Sequence, residues 1–184
     1  LVEKGVVIVS GLAFGCDSIA HRQTLDLGGK TVAILPSPLN NIMPSANQDL
    51  AAEIVASGGL LVTEYLTEPK SRMEMNGRYQ ERDRLQALFS NAVVLSASYA
   101  KNDLGNDSGS RLAMGYAQDY GLVRAVLYDP AKNADNPKYD LNRQIMAEQP
   151  AALVIEPDNK MTVLETLVSL QTNNTDQSFQ ISML

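Results

Sequence analysis

The feature that most constrains this chain is a repeated order of segments. A short, continuous apolar run is followed by a break rich in Gly, Ser or Pro, and then by a stretch with helical spacing. The apolar runs cover residues 6–9, 31–35, 60–64, 92–97, 123–128 and 153–155. Uninterrupted runs of this length, rich in β-branched residues, suit strands buried on both faces. Helical spacing is expected from Asp17 to about Leu27, then over 46–57, 79–89, from Ser110 to the stop at Gly121, over 141–147 and over 161–170. Residues 36–45, 66–77 and 129–140 read as loops. This alternation predicts an α/β fold, a three-layer, doubly wound and mostly parallel sheet of Rossmann-like type. Crossovers in such sheets are right-handed, so the loops leaving the strands gather along the carboxyl edge, where open α/β sheets bind ligands.

The length of 184 residues suits one domain, expected over 1–171, followed by a polar and mobile tail over 172–184. Leu1 to Gly5 reads as the last turn of a helix ending at a glycine cap. A parallel sheet normally has a strand before such a helix, so the chain reads as N-terminally truncated. One cysteine, Cys16, leaves no internal disulfide, which suits the cytoplasm. With a single histidine, His21, a His/Cys metal cage is not expected, and no cofactor is called for. No apolar run approaches a membrane span. The net charge of −6 removes any whole-surface attraction for nucleic acid, so such binding would need a local basic patch.

Two turns stand out. Ser10-Gly11-Leu12-Ala13-Phe14-Gly15 follows the first apolar run, and Ser108-Gly109-Ser110-Arg111 opens the helix after the fourth. A helix start of this kind offers unpaired amides and a positive dipole end to an anion such as phosphate. Either turn could equally be a plain strand-to-helix connection. A basic cluster, Lys70, Arg72, Arg78, Arg82 and Arg84, follows the third apolar run. Its arginines could fork onto phosphate oxygens, or form internal ion pairs on a solvated helix face. Glu64 and Asp17 are carboxylates expected near the carboxyl edge, as ribose contacts or as hydrogen-bond acceptors for the backbone. His21 could be a base or a structural histidine, and Cys16 a reactive or a buried thiol.

Taken together, these segments resemble the DprA/Smf family of DNA-processing proteins. The stretch from Ile8 through Ser10, Gly11, Leu12, Ala13, Phe14, Gly15, Cys16 and Asp17 to His21 is similar to that family's V-S-G-L-A-R-G-I-D…A-H signature. Gly29-Lys30-Thr31-Val32-Ala33-Ile34-Leu35 resembles its next strand, and Gly58-Gly59-Leu60-Leu61-Val62-Thr63-Glu64-Tyr65 resembles G-G-L-L-x-S-E-Y. Arg82-Asp83-Arg84-Leu85 resembles R-N-R-I, Ser108-Gly109-Ser110 matches S-G-S, and Asn136-Pro137 with Leu141-Asn142-Arg143-Gln144-Ile145 resembles the closing N-P and N-R-L-I elements. Six matches in collinear order over about residues 1 to 170 are specific. Phe14 stands where the family has arginine, and Asp83 where it has asparagine.

The resemblance implies a cytoplasmic, non-enzymatic homodimer that binds single-stranded DNA and helps load a RecA-type recombinase in recombination or natural transformation. It places phosphate or nucleic-acid contacts at Ser10, Gly11, Gly15, Arg82, Arg84, Ser108, Gly109, Ser110 and Arg111, with Phe14 and Glu64 as base or ribose contacts. Phe14 could stack on a base or bury itself in a neighbouring apolar surface. The wider superfamily implies an alternative, a nucleotide-binding or nucleotide-sensing domain like the LOG phosphoribohydrolases. The second turn lacks the glutamate that hydrolysis by those enzymes requires.

Overall fold

A computed structural model describes residues 1–102, 109–170 and 180–183. The strands are β1 (Val7–Ser10), β2 (Thr31–Ile34), β3 (Leu60–Val62), β4 (Ala92–Leu95), β5 (Val123–Leu127), β6 (Leu153–Ile155) and β7 (Gln180–Met183). The α-helices are α1 (Cys16–Asp26), α2 (Gln48–Ala56), α3 (Arg72–Leu88), α4 (Ser110–Asp119), α5 (Pro130–Asn133), α6 (Asp140–Glu148) and α7 (Lys160–Ser169). All seven strands are parallel, in the order β3-β2-β1-β7-β4-β5-β6.

Strand periodicity sorts the core into two faces. On β4, Val93 and Leu95 point toward Ala113, Met114 and Ala117 of α4 and Leu141 and Ile145 of α6, while Ala92 and Val94 pack with Leu167 of α7. On β2, Val32 and Ile34 meet Leu85 of α3, whereas Ala33 packs against Leu50, Ala51 and Ile54 of α2. Helices therefore cover both faces, which is why the strands read as unbroken apolar runs.

Three expectations change. Helix α3 begins at Arg72, inside the segment read as a loop. Ser71 caps it by accepting from the Glu74 amide, and Glu74 reaches back to accept from the Lys70 amide. The 129–140 loop contains α5 and a 3-10 turn, each opened by a proline in its first turn and by an Asp129 or Asn136 side-chain cap. The expected tail over 172–184 includes β7, which pairs with β1 on one side and β4 on the other. Ser182 at its centre is fully buried. Residues 171–179 lie outside the described part. No helix among the described residues is long and apolar enough to cross a membrane.

The sheet winds outward in two directions, β1 to β3 one way and β4 to β6 the other. The connections leaving β1 and β4 thus flank the point where the winding reverses, the place where such sheets form a ligand crevice.

Candidate nucleic-acid interface

The first turn leaves β1 at Ser10, which is buried, and enters α1 through Gly15, whose φ of 83° favours glycine. Leu12 is held at φ 61° with its side chain fully buried. The turn is closed from within. Asp17 Oδ2 accepts from the amides of Gly11 (3.1 Å) and Ala13 (3.0 Å). Its carboxylate already sits where an external anion would go, so the Gly11 amide is not the open donor that the sequence suggested. Asp17 thus acts as a backbone acceptor.

Beneath this turn lies Arg82, and its position corrects the expectation of a free phosphate fork. Its side chain is only 8% exposed. One guanidinium nitrogen donates to the carbonyls of Gly11 and Ile34, and the ring of Tyr79 lies 5.2 Å away. A Cβ at Gly11 would overlap this guanidinium, so glycine is required there by close approach. Arg82 stands 3.8 Å from both Asp17 and Asp83. Arg84 and Glu64 are also engaged, with each other, in an exposed ion pair. Arg78 is buried, donating to Glu74 and to the Thr67 carbonyl beneath Tyr65. The arginine cluster is therefore largely structural.

The second turn is different. Gly109 caps α4, and Ser110 is its first helical residue. The first turn of any α-helix leaves amides without intrahelical partners. Arg111 follows in the same turn and is half-buried. Ser108 lies outside the described residues. Asp83 fits under Gly109 so closely that a Cβ there would overlap its Oδ2.

The two turns meet over one cavity of about 410 Å³, lined by Ala13, Phe14, Cys16 and Asp17 from the first, Gly109 and Ser110 from the second, and Arg82, Asp83, Gln86, Ser96 and Ala97. Phe14 is 68% exposed on its rim rather than buried against an apolar neighbour. Asp83 is deeply buried, and loss of solvent pushes its carboxyl up to about 7; Arg82 pulls it down and Asp17 pushes it further up. The Cys16 thiol is raised chiefly by burial, and its sulfur lies 3.0 Å from Ser96 Oγ. His21 is fully buried, and burial pulls it down to about 4. Thr31 donates to the Ile8 carbonyl and so accepts from His21 Nδ1, at 2.7 Å each, which makes His21 a neutral bracket between α1 and β2.

Sequence reasoning missed the role of Asn142. Fully buried on α6, it donates to the carbonyls of Ser96 and Leu127 and accepts from the Ser98 amide, pinning the carboxyl ends of β4 and β5. Its place in the N-R-L-I element was the available signal.

Residues 1–165 match the family model of the DNA recombination-mediator protein A. The chain belongs to this family. Relatives include protein Smf of Escherichia coli, 30% identical over 169 residues, covering 91% of this chain and 40% of that protein. The putative DNA processing protein DprA of Mycobacterium tuberculosis is 34% identical over 134 residues, 73% of this chain and 32% of that protein. This chain thus spans less than half the length of these two relatives. Among solved structures, DNA processing protein A from Helicobacter pylori, studied for its unique single-stranded DNA binding mode, superposes with a TM-score of 0.72 at 28% identity, over 92% of this chain and 69% of that one. The Streptococcus pneumoniae protein gives 0.68 at 26% identity, over 89% and 53%. Both share this family's parallel α/β architecture, as the strand alternation predicted.

Proposed function

We propose that this domain binds single-stranded DNA across the carboxyl edge of its sheet, with a phosphate on the first turn of α4. The observation that carries the reading is the convergence of both turns on one cavity with an exposed aromatic, Phe14, at its rim. Helix amides attract a backbone phosphate, and an aromatic face stacks on any base. Membership of the family and the likeness to the H. pylori protein support the same reading. We further propose, from the family resemblance of its motifs, that the protein acts in DNA processing as a cytoplasmic homodimer that helps load a RecA-type recombinase. In this reading it acts as a binder rather than an enzyme, with His21 buried between α1 and β2 and the Cys16 thiol raised by burial. The contacts proposed in place of free arginines are Gly109, Ser110, Arg111 and Phe14, with Ser10, Gly11, Gly15 and Arg82 as their support.

Ser110→Glu tests this. A carboxylate in the first turn suits the helix dipole, so folding is preserved, but it repels phosphate. Oligonucleotide affinity should fall more than tenfold at low salt with an unchanged melting temperature. Unaltered affinity would refute a phosphate site there. A second reading, a mononucleotide-sensing domain, is favoured by the cavity's size, which suits one nucleotide. Calorimetry with mononucleotides beside an oligonucleotide separates the two.

A further inference from the structure

The cavity floor carries three polar atoms with no hydrogen-bond partner among the described residues: Arg82 Nε, Asp83 Oδ2 and Gln86 Oε1. All three side chains line the cavity, and all three residues are more than nine-tenths buried. They form one cluster. Gln86 Nε2 donates to Asp83 Oδ1 at 2.9 Å, and Arg82 Nε lies 3.8 Å from that same oxygen. Buried groups of this kind are normally paired, and an orphan at a cavity wall marks a place for a complementary ligand atom.

The chemistry of the floor excludes phosphate. Two carboxylates, Asp17 and Asp83, flank the one guanidinium, which already donates to two carbonyls. What the floor lacks is two donors and one acceptor. Among the four DNA bases, adenine, cytosine and thymine each present one donor group on the Watson–Crick edge. Guanine alone presents an acceptor beside two donors, O6 with N1–H and the 2-amino group. Phe14 at the rim supplies a face for the ring.

We propose that this cavity selects guanine, with O6 on Arg82 Nε, N1–H on Asp83 Oδ2, the 2-amino group on Gln86 Oε1, and the ring against Phe14. This rests on the single-stranded DNA reading above and names the base that its central site takes. The selectivity is a property of this chain's Asp83, because a carboxylate keeps one oxygen for N1–H while the other accepts from Gln86 Nε2, whereas an asparagine has a single oxygen for both. Arg82 and Asp17 are the charged groups facing Asp83 from α3 and α1.

The test uses thymidine nonamers with one central guanine, hypoxanthine, adenine or cytosine, or none, titrated by fluorescence anisotropy at pH 8. Guanine should bind at least tenfold more tightly than the all-thymidine strand. Hypoxanthine, which keeps O6 and N1–H but lacks the amine, should lose most of that gain, since each lost hydrogen bond is worth about tenfold. Asp83→Asn should abolish the preference, so that the guanine strand binds no more tightly than the all-thymidine strand, a change that a purely structural role would not produce. If Asp83→Asn does not fold, the base series on the unaltered chain decides. Equal affinity for every strand overturns the guanine assignment and leaves DNA binding standing. If no strand binds, deoxymononucleotides are titrated: preference for dGMP over dAMP, dCMP and TMP keeps the base assignment and refutes the DNA reading, and no preference refutes both.

Discussion

The two glycine turns carry the same sequence signal and do opposite things. Each follows a parallel strand, each opens a helix, and each contains a glycine that a neighbouring side chain approaches too closely to admit a Cβ. At the first, Asp17 accepts from the turn's own amides and Arg82 braces it from below. At the second, no side-chain cap bond is made by Gly109, and the carboxylate underneath, Asp83, keeps an oxygen without a partner. One turn is closed by a carboxylate that accepts from its amides; the other is where we propose a phosphate. A glycine–serine turn before a helix is therefore a capacity for anion binding, which a carboxylate a few residues along can use up internally.

The largest expected effect lies at the closed turn. Gly11→Ala drives a methyl into the Arg82 guanidinium, which must leave two buried carbonyls or shift the backbone. Overpacking plus lost hydrogen bonds should cost about 2–4 kcal/mol, a fall in melting temperature of roughly 6–10 °C. A melting curve within 2 °C of the parent would show that Arg82 does not brace the turn.

Asp17→Asn gives a smaller effect of mixed sign. One acceptor oxygen remains, so the fold should lose about 1 kcal/mol, while removal of a negative charge from the cavity raises oligonucleotide affinity several-fold at low salt. Weaker DNA binding, measured by anisotropy, would mean that the first turn is the working site after all.

Asp83→Asn leaves stability unchanged at low pH, and its effect grows with pH. The carboxyl is held at about 7 in the fold against an ordinary value of 3.8. The native state therefore keeps a proton that the unfolded chain releases between those values. This group's contribution is fully favourable below about pH 4 and is lost as pH rises through 7. The variant should match the parent's melting temperature near pH 4 and exceed it by several degrees at pH 8. A difference that is constant with pH would place Asp83 in a solvated site.

Much of the fold was legible because parallel strands buried on both faces leave unbroken apolar runs, as in Ala92-Val93-Val94-Leu95. The start of α3 was hidden, although Ser71 and Glu74 spell a capping box, because Gly77 and the surrounding polar residues resemble a loop. Strand β7 was hidden because four residues after a long polar stretch carry too little pattern. At the site, the turns themselves were legible and their partners were not. Arg82 reads as a surface cation in sequence. Its burial depends on the carbonyls of Gly11, in the turn after β1, and Ile34, at the end of β2, both far away in the chain. Asp17, four to six residues from the amides that it accepts from, was the one partner within local reach.

The contrast between an open and a closed turn can be read one amide at a time. A 15N-resolved NMR titration of the chain with a short single-stranded oligonucleotide follows the Gly11, Ala13, Gly109 and Ser110 amides together. Large shifts at Gly109 and Ser110, with Gly11 and Ala13 almost still, are the predicted result. Shifts confined to Gly11 and Ala13, or spread equally over both turns, would contradict it.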